Sequence, residues 1–225
     1  MLWIFHADHP DLFRHFVRVS PSVFDAILEK IITNPIFYNE SNNAQLEVRS
    51  QLAIFLRRMG HYGNAISVVD LAVWAGVSTG SVNNYTHRVA AAITALHREA
   101  IHLPTDDERA AAKQFVYSKT QCTAWTGGIM AVDGTAIKLF EEPALYGKSW
   151  YNKNSDYAMS LQVVFMVGSL RVVDYAIGNV GSAHDSRAFK DTAIYQHPRL
   201  FLKDNEWIFG DSAYPLETWC IVPFK

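Results

Sequence analysis

The spacing of apolar residues changes at Gly127-Gly128, and no single-layer fold accommodates both patterns. Before that point the spacing is helical. Ser20 and Pro21 form an N-cap and first-turn pair, and Phe24, Ile27, Leu28, Ile31 and Ile32 follow at helical intervals until Asn34-Pro35. Leu46, Leu52, Phe55, Leu56 and Met59 mark a second helix. Its Arg57-Arg58 end suits either the helix dipole or a phosphate contact. Beyond the glycines, "GGIMAVDGTAIKLF", "YAMSLQVVFMVG" and "LRVVDYAIGNV" read as strands, "DSRAFKDTAIYQ" as a helix and "EWIFGD" as a fourth strand. The expectation is an α+β chain, with a helical region over 1–127 and an α/β sheet domain over 128–225 that binds ligands at its strand ends.

Within the helical region, "VVDLAVWAGVSTGSVNNYTHRVAAAITALHRE" has the form of a helix-turn-helix at about residues 66–98. Ala72, Gly76, Val77 and Val82 supply close packing, a sharp turn and a core anchor, and Ser78 can cap the second helix. That helix would present Thr79, Ser81, Asn83, Asn84, Thr86, His87 and Arg88, all able to bond phosphates or base edges. A packing hairpin with a solvated polar face has the same spacing, so both readings stand.

Composition narrows the function classes. With 49% hydrophobic and 19% charged residues the chain is globular rather than disordered. A net charge of −2 means that any nucleic-acid surface must be a local patch. Cys122 and Cys220 belong to no C-x-x-C pair, which argues against a zinc site or a disulfide framework and for reduced thiols. The first residues lack the basic start of a secretory signal, and no run reaches the roughly 18 apolar residues of a membrane span. No membrane partner is expected, and the expected location is the nucleus or the cytosol.

Two aspartates are set in small residues at the ends of apolar runs: Asp133 after "GIMAV" and Asp211 after "WIFG". If their strands lie side by side and parallel, the two acids share one sheet edge. Such carboxylates suit Mg²⁺ or Mn²⁺, which bind through one or two acids and keep other positions for water or phosphate. Asp185 has two explanations: the N3 acid of a capping box begun by Ser182, or a further metal ligand. His184 is at most a supporting residue.

The blocks "AVDGTAIKL", "YAMSLQVVF", "NVGSAHDSRAF" and "FGDSAYPLETWCIVPFK", with "QLAIFLRRMGHYGNA" and "AVWAGVSTGSVNNYTHRV" upstream, resemble the PIF/Harbinger transposases and their domesticated nuclease relatives, the DDE superfamily endonucleases. The resemblance implies an RNase H-like catalytic domain behind a helical DNA-binding region. It also implies divalent-metal hydrolysis of DNA phosphodiesters, a nuclear site of action and a Myb-like DNA-binding partner protein. Carried over by residue, it makes Asp133 the first acid, Asp211 the acid after the fourth strand and Asp185 the acid of the "HDS" block. Two departures follow. The family's closing Glu lies downstream of the block that ends at Lys225, and Glu141, Glu142 and Glu217 are poorly spaced substitutes. Where relatives carry a basic pair after Tyr151, only Lys153 is present. These departures set the expectation of a truncated, incomplete nuclease domain with impaired cleavage. The alternative is an inactive DNA- or partner-binding remnant of a transposase.

Overall fold

A computed structural model describes residues 2–38, 44–61, 65–152 and 155–223. The chain divides into two compact units, Met1–His97 and Arg98–Lys225.

The first unit is helical: α1 (Leu2–Asp8), α2 (Pro10–Val17), α3 (Pro21–Ile31), α4 (Val48–Met59), α5 (Val68–Ala75) and α6 (Thr79–Ala95). Pro21 occupies the first turn of α3 and Ser20 caps it by accepting from the Val23 amide, as the sequence pattern requires. Phe13, Phe24, Ile31, Leu52 and Val89 form a fully buried core, in which Phe13 and Phe24 meet edge to face at 5.2 Å. Burying each such side chain contributes about 1.5–3 kcal/mol. A second cluster of Ile54, Leu71, Ala72 and Val82 binds α5 and α6 to α4. Ser67 and Asp70 cap α5 reciprocally, and the Ser67 hydroxyl and amide hold the Asp70 carboxyl below its ordinary pKa. The chain then turns at Gly76 with φ +67°, a left-handed conformation in which glycine carries no Cβ penalty. Ser78 opens α6 by accepting from the Ser81 amide.

A single turn, α7 (His97–Ala100), straddles the division. In the second unit, α8 (Asp106–Thr120) begins with a Thr105–Glu108 capping box and three acids in its first turn. The sheet follows as β1 (Gly128–Lys138), β2 (Ala158–Met166), β3 (Val172–Val180), β4 (Trp207–Phe209) and β5 (Cys220–Ile221), in the order β3-β2-β1-β4-β5. β1, β2 and β3 form an antiparallel meander, whereas β4 lies parallel to β1 and β5 parallel to β4. This is the RNase H-like α+β arrangement expected above. Ala112 of α8 belongs to the same buried cluster as Ile129, Met130, Val164 and Ile208. The helix assigned to the helical region at the sequence level therefore packs with the sheet. The change of period marks the first strand and says nothing of which helix covers it.

The crossover from β3 to β4 carries α9 (Asp185–Ala188), α10 (Ala193–Gln196) and α11 (Pro198–Phe201). One continuous helix over this stretch is not what forms. Thr192 sits in an extended conformation, φ −75° and ψ 147°, donates to the Phe189 carbonyl and accepts from the Tyr195 amide. The Ile194 amide donates to the Asp174 carboxylate at 2.7 Å, which fixes the break.

Buried Glu206, just before β4, accepts from Arg109 and Lys113 of α8 and from the Lys203 amide. Burial alone would raise its carboxyl pKa. The Lys113 contact, the Lys203 amide and the Arg109 charge outweigh burial and hold it below the ordinary value. Glu206→Ala leaves Arg109 buried without its carboxylate and should lose about 3–5 kcal/mol in urea unfolding at pH 7. A carboxyl whose folded pKa is depressed stabilises above its unfolded value, near 4.3, and loses that contribution as pH falls through the folded value. The deficit of the variant should therefore shrink once the pH drops below about 4.

Candidate active site

β1 and β4 bring the first and last aspartates together. Their final paired residues are Ala131 and Phe209, and Asp133 and Asp211 each stand two residues further along. Both are exposed. Asp133 Oδ1 accepts from the Gly134 amide at 2.8 Å, and Asp211 Oδ1 accepts from the Ala213 amide at 2.7 Å. Among the described residues no protein donor reaches the second oxygen of either.

Asp185 arrives from the crossover. The capping-box explanation does not hold: Asp185 is the first residue of α9, His184 occupies the cap without a side-chain bond, and the Ser182 hydroxyl donates instead to the Ser149 carbonyl. Ser182 is drawn into the loop before β2, so it cannot open the helix. The Asp185 carboxylate lies over Gly134, where an added Cβ would come within 2.3 Å of Oδ1. Glycine is required there by close approach rather than by backbone angle. Exposed His184 lines, with Asp185, Gly134 and Asn152, an open cleft of about 380 Å³.

A buried relay fixes Asp185. Gln162 of β2, with no solvent exposure, donates from Nε2 to Asp185 Oδ1 at 2.9 Å and accepts at Oε1 from the Tyr214 hydroxyl at 2.6 Å. Burial raises the Tyr214 pKa strongly, and the charges of Asp185, Asp133 and Asp211 raise it further. The phenol therefore stays protonated and can donate, and all three carboxylates lie within electrostatic reach of one hydroxyl. They do not share one side of the sheet, however. Alternation along β1 puts Asp133 with Ala131 and Thr135, opposite the face on which Asp185 meets Gly134. Among the described residues no three His, Cys, Asp or Glu side chains converge as a metal cage. The donors on offer at Asp133 and Asp211 are oxygens alone, which fits a hard divalent cation that retains waters.

The sequence singled out neither Gln162 nor Tyr214. An amide at every-second-residue spacing among Ala158, Ser160, Val164 and Met166, all facing inward, was the available signal. Glu142 is engaged by the Tyr157 hydroxyl at 2.7 Å. Lys153 lies outside the described residues. The remaining candidates belong to the helical unit. Thr79, Asn84 and His87 are exposed on α6, Arg88 is half-buried and Ser81 bonds Ser78. Asn83 and Thr86 both accept from Arg58, while Arg57 lies over the Phe16 and Trp74 rings. Both arginines are thus engaged within their own unit.

Residues 132–225, from the fifth residue of β1 onward, match the family described as DDE superfamily endonuclease. This segment resembles a DDE superfamily endonuclease domain. Across 239 aligned residues the chain is 25% identical to "Protein ALP1-like" of Arabidopsis thaliana, covering 96% of this chain and 55% of the relative. It is 23% identical over 170 residues to "Putative nuclease HARBI1" of Rattus norvegicus, covering 75% and 47%. The chain spans about half the length of these curated relatives. No solved structure matches. The relay that holds Asp185 has a direct structural test. Gln162→Leu strands the Tyr214 hydroxyl and removes a donor from Asp185, so it should cost about 2 kcal/mol or more in urea unfolding. Tyr214→Phe should cost about 1–3 kcal/mol, and the double variant less than the sum, because both changes break the same chain of bonds.

Proposed function

We propose that the chain is a metal-dependent DNA endonuclease of transposase descent, in which Asp133 and Asp211 hold a Mg²⁺ or Mn²⁺ ion. The observation that carries this reading is the parallel register of β1 and β4, which sets two aspartates two residues past the same pair, each with one oxygen that no donor among the described residues reaches. The bound cation would supply charge stabilisation at a phosphodiester. Asp185, oriented by Gln162, adds negative charge from the other side of β1, and protonated Tyr214 keeps that orientation. In the helical unit, α5 and α6 act as a helix-turn-helix. Thr79, Ser81, Asn83, Asn84, His87 and Arg88 contact duplex DNA, with Lys153 of the sheet unit as a further phosphate contact. A Myb-like DNA-binding protein as partner and a nuclear location complete the reading.

A second reading is a protein that binds DNA or a partner without cutting. It is favoured by the placement of Asp133 and Asp185 on opposite faces and by the lack, among the described residues, of a three-ligand cluster.

Calorimetric Mn²⁺ titration and plasmid nicking separate the two. Asp133→Asn should weaken Mn²⁺ binding at least tenfold while leaving the metal-free melting temperature unchanged or raised, because one of two neighbouring like charges is removed. Nicking that disappears in Asp133→Ala supports the nuclease; Mn²⁺ binding without nicking supports the second reading; and Mn²⁺ binding indifferent to Asp133 refutes the site. For the helical unit, Arg88→Ala should lower the salt dependence of duplex binding by about 0.9 in log–log slope. An unchanged slope would remove Arg88 from the interface.

A further inference from the structure

The helical unit contains an aromatic cleft that the nuclease reading does not use. Trp3 and Phe5 of α1, Phe16 of α2 and Trp74 of α5 wall a cavity of about 290 Å³ with Ala53 among its lining residues. Phe5 and Phe16 stack at 5.8 Å, and Phe16 and Trp74 at 6.5 Å. Two arginines of α4 lie on these rings. The Arg49 guanidinium is 3.9 Å from the centre of Trp3, and that of Arg57 is 4.6 Å from Trp74 and 4.9 Å from Phe16.

The charge around this cleft is unbalanced. The Nε–H of Arg49 and that of Arg57 are shut away from solvent and have no acceptor among the described residues. Among the described residues neither arginine forms an ion pair. Arg18 adds a third positive charge close enough to act on Arg57. Neighbouring like charges are unfavourable, and an occupant that brings carboxylates to these part-exposed guanidinium groups offsets them. The interior calls for something else. Its lining is mostly apolar, with Leu46 and Ile54 beside the rings, and offers little that would read the edges of a nucleobase. An apolar side chain suits it better.

We propose that this cleft receives a short acidic segment of a partner protein, with a Leu, Phe or Trp side chain inserted among Trp3, Phe16 and Trp74 and its flanking Asp or Glu carboxylates on Arg49 and Arg57. An aromatic or aliphatic anchor within a charged rim is a common way for a small contact to gain affinity. The proposal is independent of metal binding and of DNA cleavage.

The test uses the full chain and a panel of short synthetic peptides in which Leu, Phe or Trp stands between Asp and Glu at different spacings. Calorimetry and tryptophan emission report binding, with a single-stranded oligonucleotide as the competing probe. Saturable binding is expected from at least one peptide. It should be lost when the acids become Asn and Gln or when the apolar residue becomes Ser, and should weaken about tenfold or more in Arg49→Gln and in Arg57→Gln. Ser50→Trp, which fills the cleft and keeps both arginines, should abolish it, and thermal melts confirm that each variant folds. Failure of every peptide to bind, binding unaffected by Arg49→Gln, Arg57→Gln and Ser50→Trp, or an oligonucleotide that takes the site with the same arginine dependence would overturn the proposal.

Discussion

The parallel pairing of β1 with β4 is the constraint on which the sheet-bearing unit depends. Parallel strands cannot be joined by a tight turn, so the chain must leave β3, cross the sheet and return. That crossover delivers Asp185 to Gly134, Phe189 and Ile194 to the core, and Glu206 to the arginine and lysine of α8. Without this pairing, Asp211 would have no fixed relation to Asp133. Gly134, beside Asp133, follows from the same arrangement, since a side chain there would displace the Asp185 carboxylate.

Much of this was legible in the sequence because it rests on local rules. The change of period located β1; runs rich in Val, Ile, Phe and Tyr located β2 and β3; Ser20, Ser78 and Gly76 marked helix boundaries through their capping and turn chemistry. What stayed hidden depends on contacts between distant residues. Thr192 breaks a helix that its own neighbours favour because Asp174, on β3, claims the Ile194 amide. β5 is only two residues long and carries no periodic signal. The site was legible as a set of residue types and only partly as geometry. Parallel adjacency of Asp133 and Asp211 is only a condition in the sequence, met by the pairing of β1 with β4, whereas the role of Asp185 turned on whether Ser182 was free to cap. Gln162 looked like a polar interruption of a strand, and only its partners explain why it is there.

The helical unit shows the same limit. Polar residues on α6 suggested an open recognition surface, but Arg58 engages Asn83 and Thr86, and Arg57 is folded onto aromatic rings. A cationic pair at a helix end therefore has a third possible use besides the dipole and a phosphate: it can pack its planar groups against aromatic faces, where weak hydration of guanidinium makes partial burial tolerable.

The unequal strand lengths have a kinetic consequence. β1, with 11 residues, and β2, with 9, are consecutive strands, and β3 adds directly to them, whereas β4 offers only 3 residues and must return over the whole crossover. Loop closure has to be met before such distant contacts yield any return, so the meander is expected to form early and β4 to dock late. Asp133 would then stand on an assembled hairpin while Asp211 is still unplaced. The pairing of the two carboxylates would be among the last native contacts made and, by the same reasoning, among the first to open in native-state amide exchange.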